Sequence, residues 1–273
     1  MRGFQTPWKN ARAIPGSVRG VVTPVRLRQV VLITRDLPAV TGRLEAELGL
    51  TSGFKDEGVA HFGLENRVLA AGDCFIEVVT PLTEESAGHR YLERRGMDGG
   101  YMAIFQFADR EAPRRRAAEL GIRIVWQADL EDISGTHLDP RDVPGAIVSL
   151  DWADPPESWH WAGPAWRGSS TAAARLGGVT SLEVAVADPP AAAAKWADVL
   201  GPDVQVDGSS IMLPDARQVI AFVANSDRRR EAIVGCGLAL CPVDGMPATV
   251  STEIGGMRFT VAPPATAATE EVT

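Results

Sequence analysis

Cysteine is scarce in this 273-residue chain: Cys74, Cys236 and Cys241 are all it has, and an odd number so widely scattered builds no disulfide framework. A reducing, cytoplasmic setting is therefore expected, with the thiols read as small buried apolar groups. Basic residues are outnumbered, 27 Lys and Arg against 35 Asp and Glu, so the clustered positive surface that neutralises nucleic-acid phosphates is not expected. No apolar run approaches the roughly 18 residues that a membrane-spanning helix needs. Neither a nucleic acid nor a membrane is an expected partner. The chain also lacks a Gly-x-Ser-x-Gly elbow, a glycine-rich loop ending in Gly-Lys-Ser or Gly-Lys-Thr, and an obvious Cys–His pair, which disfavours nucleophilic and nucleotide hydrolases. GCGLAL at 235–240 has two glycines but no third glycine and no helix to follow, so it does not read as a dinucleotide loop.

What is present is a repeat. AELG at 46–49 returns at 118–121, and a β-rich run ending in aspartate precedes each copy, LRQVVLITRDL with Asp36 and YMAIFQFAD with Asp109. SLEVAVADPPAAAAKWADVLG repeats the unit, with Asp188 standing before Leu200 as Asp36 stands before Leu48. An aspartate at the strand end caps a helix by accepting from its free N–H groups, and Leu-Gly closes it. β-type stretches with turn signals follow each helix: LTSGF, VAHFGLEN and DCFIEVVTP, then IRIVWQADL, GTHLDP and GAIVSLDW, then DVQVD, SSIMLP and QVIAFVAN. Each copy predicts a βαβββ module. VGCGLALC opens a fourth copy without a convincing helix that ends in GGMRFTVA, a truncated module. A four-stranded sheet with one helix leaves an apolar face bare, so the modules are expected to pair face to face, first with second and third with fourth.

The fold class expected is α+β, two tandem domains of paired βαβββ modules. Residues 1–25, basic and rich in Pro and Gly, are expected to be a disordered tail; 26–155 the first domain; 156–176 a Trp- and Pro-rich linker; 177–262 the second domain; and 263–273 a flexible end. Trp152, Trp159, Trp161 and Trp166 cluster at the linker and are expected chiefly to pin it, with walling of a pocket as the alternative.

This order of elements resembles the vicinal oxygen chelate superfamily, the glyoxalases, extradiol dioxygenases, epimerases and bleomycin-resistance proteins. LRQVVLITRDL resembles its opening strand, DCFIEVVTP its fourth, and GAIVSLDWADPPESW the closing strand of the glyoxalase-like group. The resemblance implies a ligand cavity inside each pair of modules and, in metal-dependent members, one ligand from the first and one from the fourth strand of each module. Carried onto this chain, those positions are Gln29 and Glu77 in the first module and Met102 and Ser149 in the second. A thioether and a neutral hydroxyl are poor ligands for a hard divalent ion, so half the set is missing. His61 and His137, expected on the third strands of their modules, and Asp151, two residues beyond Ser149, are the further donors considered. Two expectations therefore stand side by side. One is a divalent metal (Zn, Ni, Mn or Fe) supporting isomerase, lyase or dioxygenase chemistry, with Glu77 as ligand or base and His61 or His137 as proton carrier. The other is a metal-free cavity that binds or sequesters a small molecule. Whether two chains pair as a homodimer across sheet edges is left open.

Overall fold

The computed structural model describes residues 25–50, 53–166, 176–213, 216–227, 230–240 and 249–263. The first module comprises β1 (Arg26–Ile33), α1 (Leu37–Leu48), β2 (Leu64–Ala71) and β3 (Cys74–Pro81). After α2 (Ala87–Arg95) comes the second, with β4 (Gly99–Phe107), α3 (Glu111–Glu119), β5 (Ile124–Asp129), β6 (Ile133–Leu138) and β7 (Ile147–Ala153). The third holds β8 (Leu176–Val186), α4 (Pro189–Leu200), β9 (Gln205–Asp207), β10 (Ser210–Leu213) and β11 (Gln218–Ala224), and the fourth β12 (Ala232–Leu240), β13 (Val250–Ile254) and β14 (Met257–Ala262). Residues 1–24 and 264–273 of the expected tails, 167–175 of the linker, and Cys241 lie outside the described residues.

The aspartates act as the repeat predicts. Asp36 accepts from the Ala39 N–H at 3.0 Å and Asp188 from the Ala191 N–H at 3.1 Å, while Asp109 accepts from Glu111 and Ala112 at 2.8 and 2.6 Å. Gly49 closes α1 at φ 70°, a left-handed conformation costly for any residue with a Cβ.

Two sheets of seven strands result, ordered β2-β3-β1-β4-β7-β6-β5 and β13-β14-β12-β8-β11-β10-β9. This corrects the expected face-to-face pairing. Within each sheet the modules join side by side, β1 antiparallel to β4 and β8 antiparallel to β12. Edge pairing satisfies the backbone groups that two isolated modules would each leave open, and lets the sheet curl around one cavity. Face-to-face packing occurs one level up, between the two sheets: the outer face of the first, with Leu27, Val30, Leu32, Ala103 and Phe105, shares one core with Leu182, Val184, Phe222 and Phe259 of the second. Trp196 of α4 sits at that junction, edge-on to Phe105 and to Phe222, and its indole N–H reaches the Pro144 carbonyl at 2.9 Å.

The first module departs from its pattern between α1 and β2. LTSGF forms no strand among the described residues; Phe54 alone bridges Val68, with N···O distances of 2.9 and 2.8 Å. The stretch expected to begin a third strand winds instead into a short 3-10 helix, Glu57–Phe62, capped by Asp56 on the Gly58 N–H at 2.8 Å. His61 is therefore on a turn, not a strand. No helix among the described residues is long and apolar enough to cross a membrane.

Candidate functional site

Strand alternation sends every second side chain to the inner, concave face of the first sheet. On β3 these are Phe75, Glu77 and Val79, while Cys74, Ile76 and Val78 enter the core shared by the sheets. On β1 the alternation is interrupted. Leu27 pairs with Phe105 and Gln29 with Ile104, so Arg28 is an extra residue, a β-bulge, and Leu27 and Val30 can both face the core while Gln29 turns inward. A matching irregularity on β4 brings Tyr101 and Met102 to the inner face together.

The concave face encloses a cavity of about 770 Å³. Glu77 sits in its wall, 6% exposed, in a chain of hydrogen bonds. Its two oxygens accept from Gln29 Nε2 at 2.7 Å and Asn66 Nδ2 at 2.6 Å; Gln29 Oε1 in turn accepts from the Trp159 indole at 2.6 Å, and Asn66 Oδ1 from the Asp56 N–H at 2.9 Å. The far donors orient both amides, so that each turns its N–H toward the carboxylate. Burial, with repulsion from Asp56, outweighs those bonds and pushes the Glu77 carboxyl up to about 7.

Across the cavity, His137 on β6 lies against Trp126, ring centroids 4.3 Å apart, and Phe62 lies edge-on to Trp126 at 5.3 Å. Burial drives the His137 imidazole down to about 3, so it is neutral at physiological pH. His61 lines the rim, exposed on its turn. His160 also lines the cavity and meets Asp132 through Nδ1 at 3.1 Å.

Gln29, Glu77, His61, His137 and Met102 thus share one cavity, but Asp151 and Ser149 do not border it. Asp151 is buried behind Trp161, whose indole donates to it at 2.7 Å, and it takes the Ser149 hydroxyl as second donor. Burial pushes it, too, up to about 7.

These residues do not fit a divalent ion. The Glu77 oxygens face amide N–H groups, whose positive ends repel a cation placed between them, and Gln29 can offer its oxygen only by giving up Trp159. Met102 adds a soft sulfur and Ser149 points away. Among the described residues no three His, Cys, Asp or Glu side chains converge as a metal site.

Asn66, Phe62, Trp126 and Tyr101 belong to this site and were not singled out from sequence. For Asn66 a signal existed: in LENRVLAA it shares a face with Leu64 and Val68, and a polar amide on a buried face requires a partner. Of the tryptophans, Trp159 is fully buried and holds the segment after β7 against Gln29 and Phe75 of the first module, and Trp161 walls the cavity.

A curled sheet of side-by-side βαβββ modules around one cavity defines a protein of the vicinal oxygen chelate class. The chain belongs to the glyoxalase-like domain family, whose model matches residues 30–200. Among solved structures, a hypothetical protein from Staphylococcus aureus is similar over 88% of this chain and 99% of its own, at 10% identity and a TM-score of 0.62. A Streptomyces coelicolor methylmalonyl-CoA epimerase, in complex with 2-nitronate-propionyl-CoA, aligns with 51% of this chain and 100% of its own, at 21% identity and a TM-score of 0.44. The methylmalonyl-CoA epimerase of Mycobacterium tuberculosis aligns with 51% of this chain and 93% of its own, at 22% identity and a TM-score of 0.43. No curated protein matches the sequence.

Proposed function

We propose that the N-terminal cavity binds a small organic molecule without a metal ion and holds it against the Glu77 carboxylate. The observation that carries this reading is the bonding of Glu77: both oxygens are taken by oriented amides in the wall of a largely apolar cavity, an arrangement suited to anchoring a ligand and ill suited to a cation of small radius. A cavity of about 770 Å³ accommodates a drug-sized molecule. A second reading, metal-independent isomerisation with Glu77 as general base, is favoured by its carboxyl being raised to about 7, where a base is best matched to neutral pH.

The test is elemental analysis and native mass spectrometry of the full chain, purified without chelator or affinity nickel. The expected result is no stoichiometric divalent metal, even after titration with Zn, Ni, Mn or Fe, and small-molecule thermal shifts that are lost in Met102→Trp, which fills the cavity. Near-stoichiometric metal that disappears in Glu77→Ala would overturn the metal-free reading.

A further inference from the structure

The charges around the cavity are of one sign. Asp56, Glu77 and Glu85 border it, and among the described residues lining it there is no Lys or Arg. The remaining titratable groups there are Tyr101, His61, His137 and His160. His137 is held neutral by burial, and His160 has its own acid in Asp132. Asp151, buried away from the cavity, is held without a cation by the Ser149 hydroxyl and the Trp161 indole, whereas Asp139 meets Arg141 and Arg123 and the half-exposed Asp73 meets Arg26 and Arg28. Glu77 has no cation. Its partners are two neutral amides, and the nearby Asp56 only adds repulsion. A buried carboxylate without a counter-ion is costly, and the open side of this one is the cavity. The rest of the lining is aliphatic and aromatic, with Phe62, Trp126 and Trp161 together on one side and Tyr101 on β4. Ring faces carry negative charge density and attract ammonium groups, most strongly where water is excluded.

We propose that the molecule bound in this cavity is an organic cation, an ammonium centre on an apolar or aromatic body, whose positive charge is balanced by Glu77 and faced by the aromatic wall. This inference rests on the small-molecule reading above and narrows it. Carboxylates and phosphate esters are disfavoured, because such a ligand would meet three acids and no cation. The amides of Gln29 and Asn66 hold the carboxylate in place, so the ligand contributes only the missing charge.

Calorimetric titration of the full chain with three probes of one shape class separates the possibilities: benzyltrimethylammonium, its neutral isostere neopentylbenzene, and the anion phenylacetate. The ammonium is expected to bind at least about tenfold more tightly than either of the others. Glu77→Gln is expected to erase that preference, and Trp126→Leu to weaken the ammonium. Equal or tighter binding of the neutral or anionic probe would overturn the cationic class and leave the cavity reading intact. Ammonium binding that is insensitive to Glu77→Gln would place the cation on the acidic surface and also overturn the inference. If none of the three binds, the inference fails as well, and the metal and Met102→Trp measurements above judge the cavity reading on their own. Should Glu77→Gln not fold, the ranking of the three probes on the unaltered protein still decides.

Discussion

Three titratable groups in one domain, the buried Glu77 and Asp151 and the half-buried His137, make its stability depend on pH in two opposing directions. Glu77 and Asp151 have carboxyls raised to about 7, so between roughly pH 4.5 and 7 the folded chain keeps protons that the unfolded chain has released. Folding is then weakened as pH rises through that window, by up to about 1.4 kcal/mol per pH unit for each group. His137, lowered from 6.5 to about 3, acts the other way: below about pH 6.5 the unfolded chain takes a proton that the folded one refuses, and stability falls as pH falls. Denaturant unfolding across pH 4.5–8 should accordingly show a shallower loss toward high pH in Glu77→Gln, and a smaller loss toward low pH in His137→Phe. A Glu77→Gln profile parallel to the unaltered one would show that Glu77 titrates as a solvated carboxyl. Trp159 is the other residue on which the site turns. Trp159→Phe keeps a ring against Phe75 but removes the donor to Gln29 Oε1, leaving a buried acceptor unpaired. It should cost about 1–3 kcal/mol in the same assay and weaken ligand binding at Glu77, since Gln29 is then free to turn.

At the scale of elements, the punctuation of the helices carries testable weight. α4 opens on Pro189 and Pro190, which cannot donate, so Asp188 supplies its cap to Ala191 alone. Asp188→Ala should lower stability by about 1 kcal/mol, read as a shift of the denaturation midpoint without change in slope. These Asp and Gly signals are local, which is why the modules could be read from the chain and why Gln29, Glu77 and His137 could be placed on their strands. What could not be read depends on long-range partners. The Arg28 bulge is visible only once β4 is beside β1; there the guanidinium lies 5.4 Å from the ring centres of both Phe75 and Trp159, and donates to the Glu157 carbonyl at 3.1 Å. Nothing near Gln29 in sequence announces that Trp159 will fix its amide. The 3-10 helix carrying His61 was hidden for another reason: VAHF has strand-like composition, but the Asp56 cap and the left-handed Gly63 at φ 68° favour a turn.

Viewed whole, the molecule has the cavity on one face of the first sheet and the second sheet supporting the other. That support explains how a site with buried polar groups is held still, because the inner face sets Gln29, Asn66 and Glu77 among its apolar side chains whereas the outer face adds the larger apolar core shared by both sheets. Gln218 of β11 joins the two directly, its amide accepting from the Leu27 N–H at 2.7 Å and donating to the Leu27 and Val179 carbonyls at 2.9 Å each. Where β4 meets β12, the fit leaves no room for a side chain. A Cβ on Gly100 would fall on the Ile233 Cβ and lie 2.6 Å from the Ile233 backbone oxygen, which cannot swing aside as a side chain could. Gly100→Ala must therefore push the sheets apart, at a cost of about 1–3 kcal/mol typical of overpacking. Because the two sheets share one core, the loss should appear in a single calorimetric transition that moves to lower temperature as a unit, in the unaltered protein and the variant alike. Two separate transitions, with only one displaced by Gly100→Ala, would mean that the first sheet holds its cavity without the second.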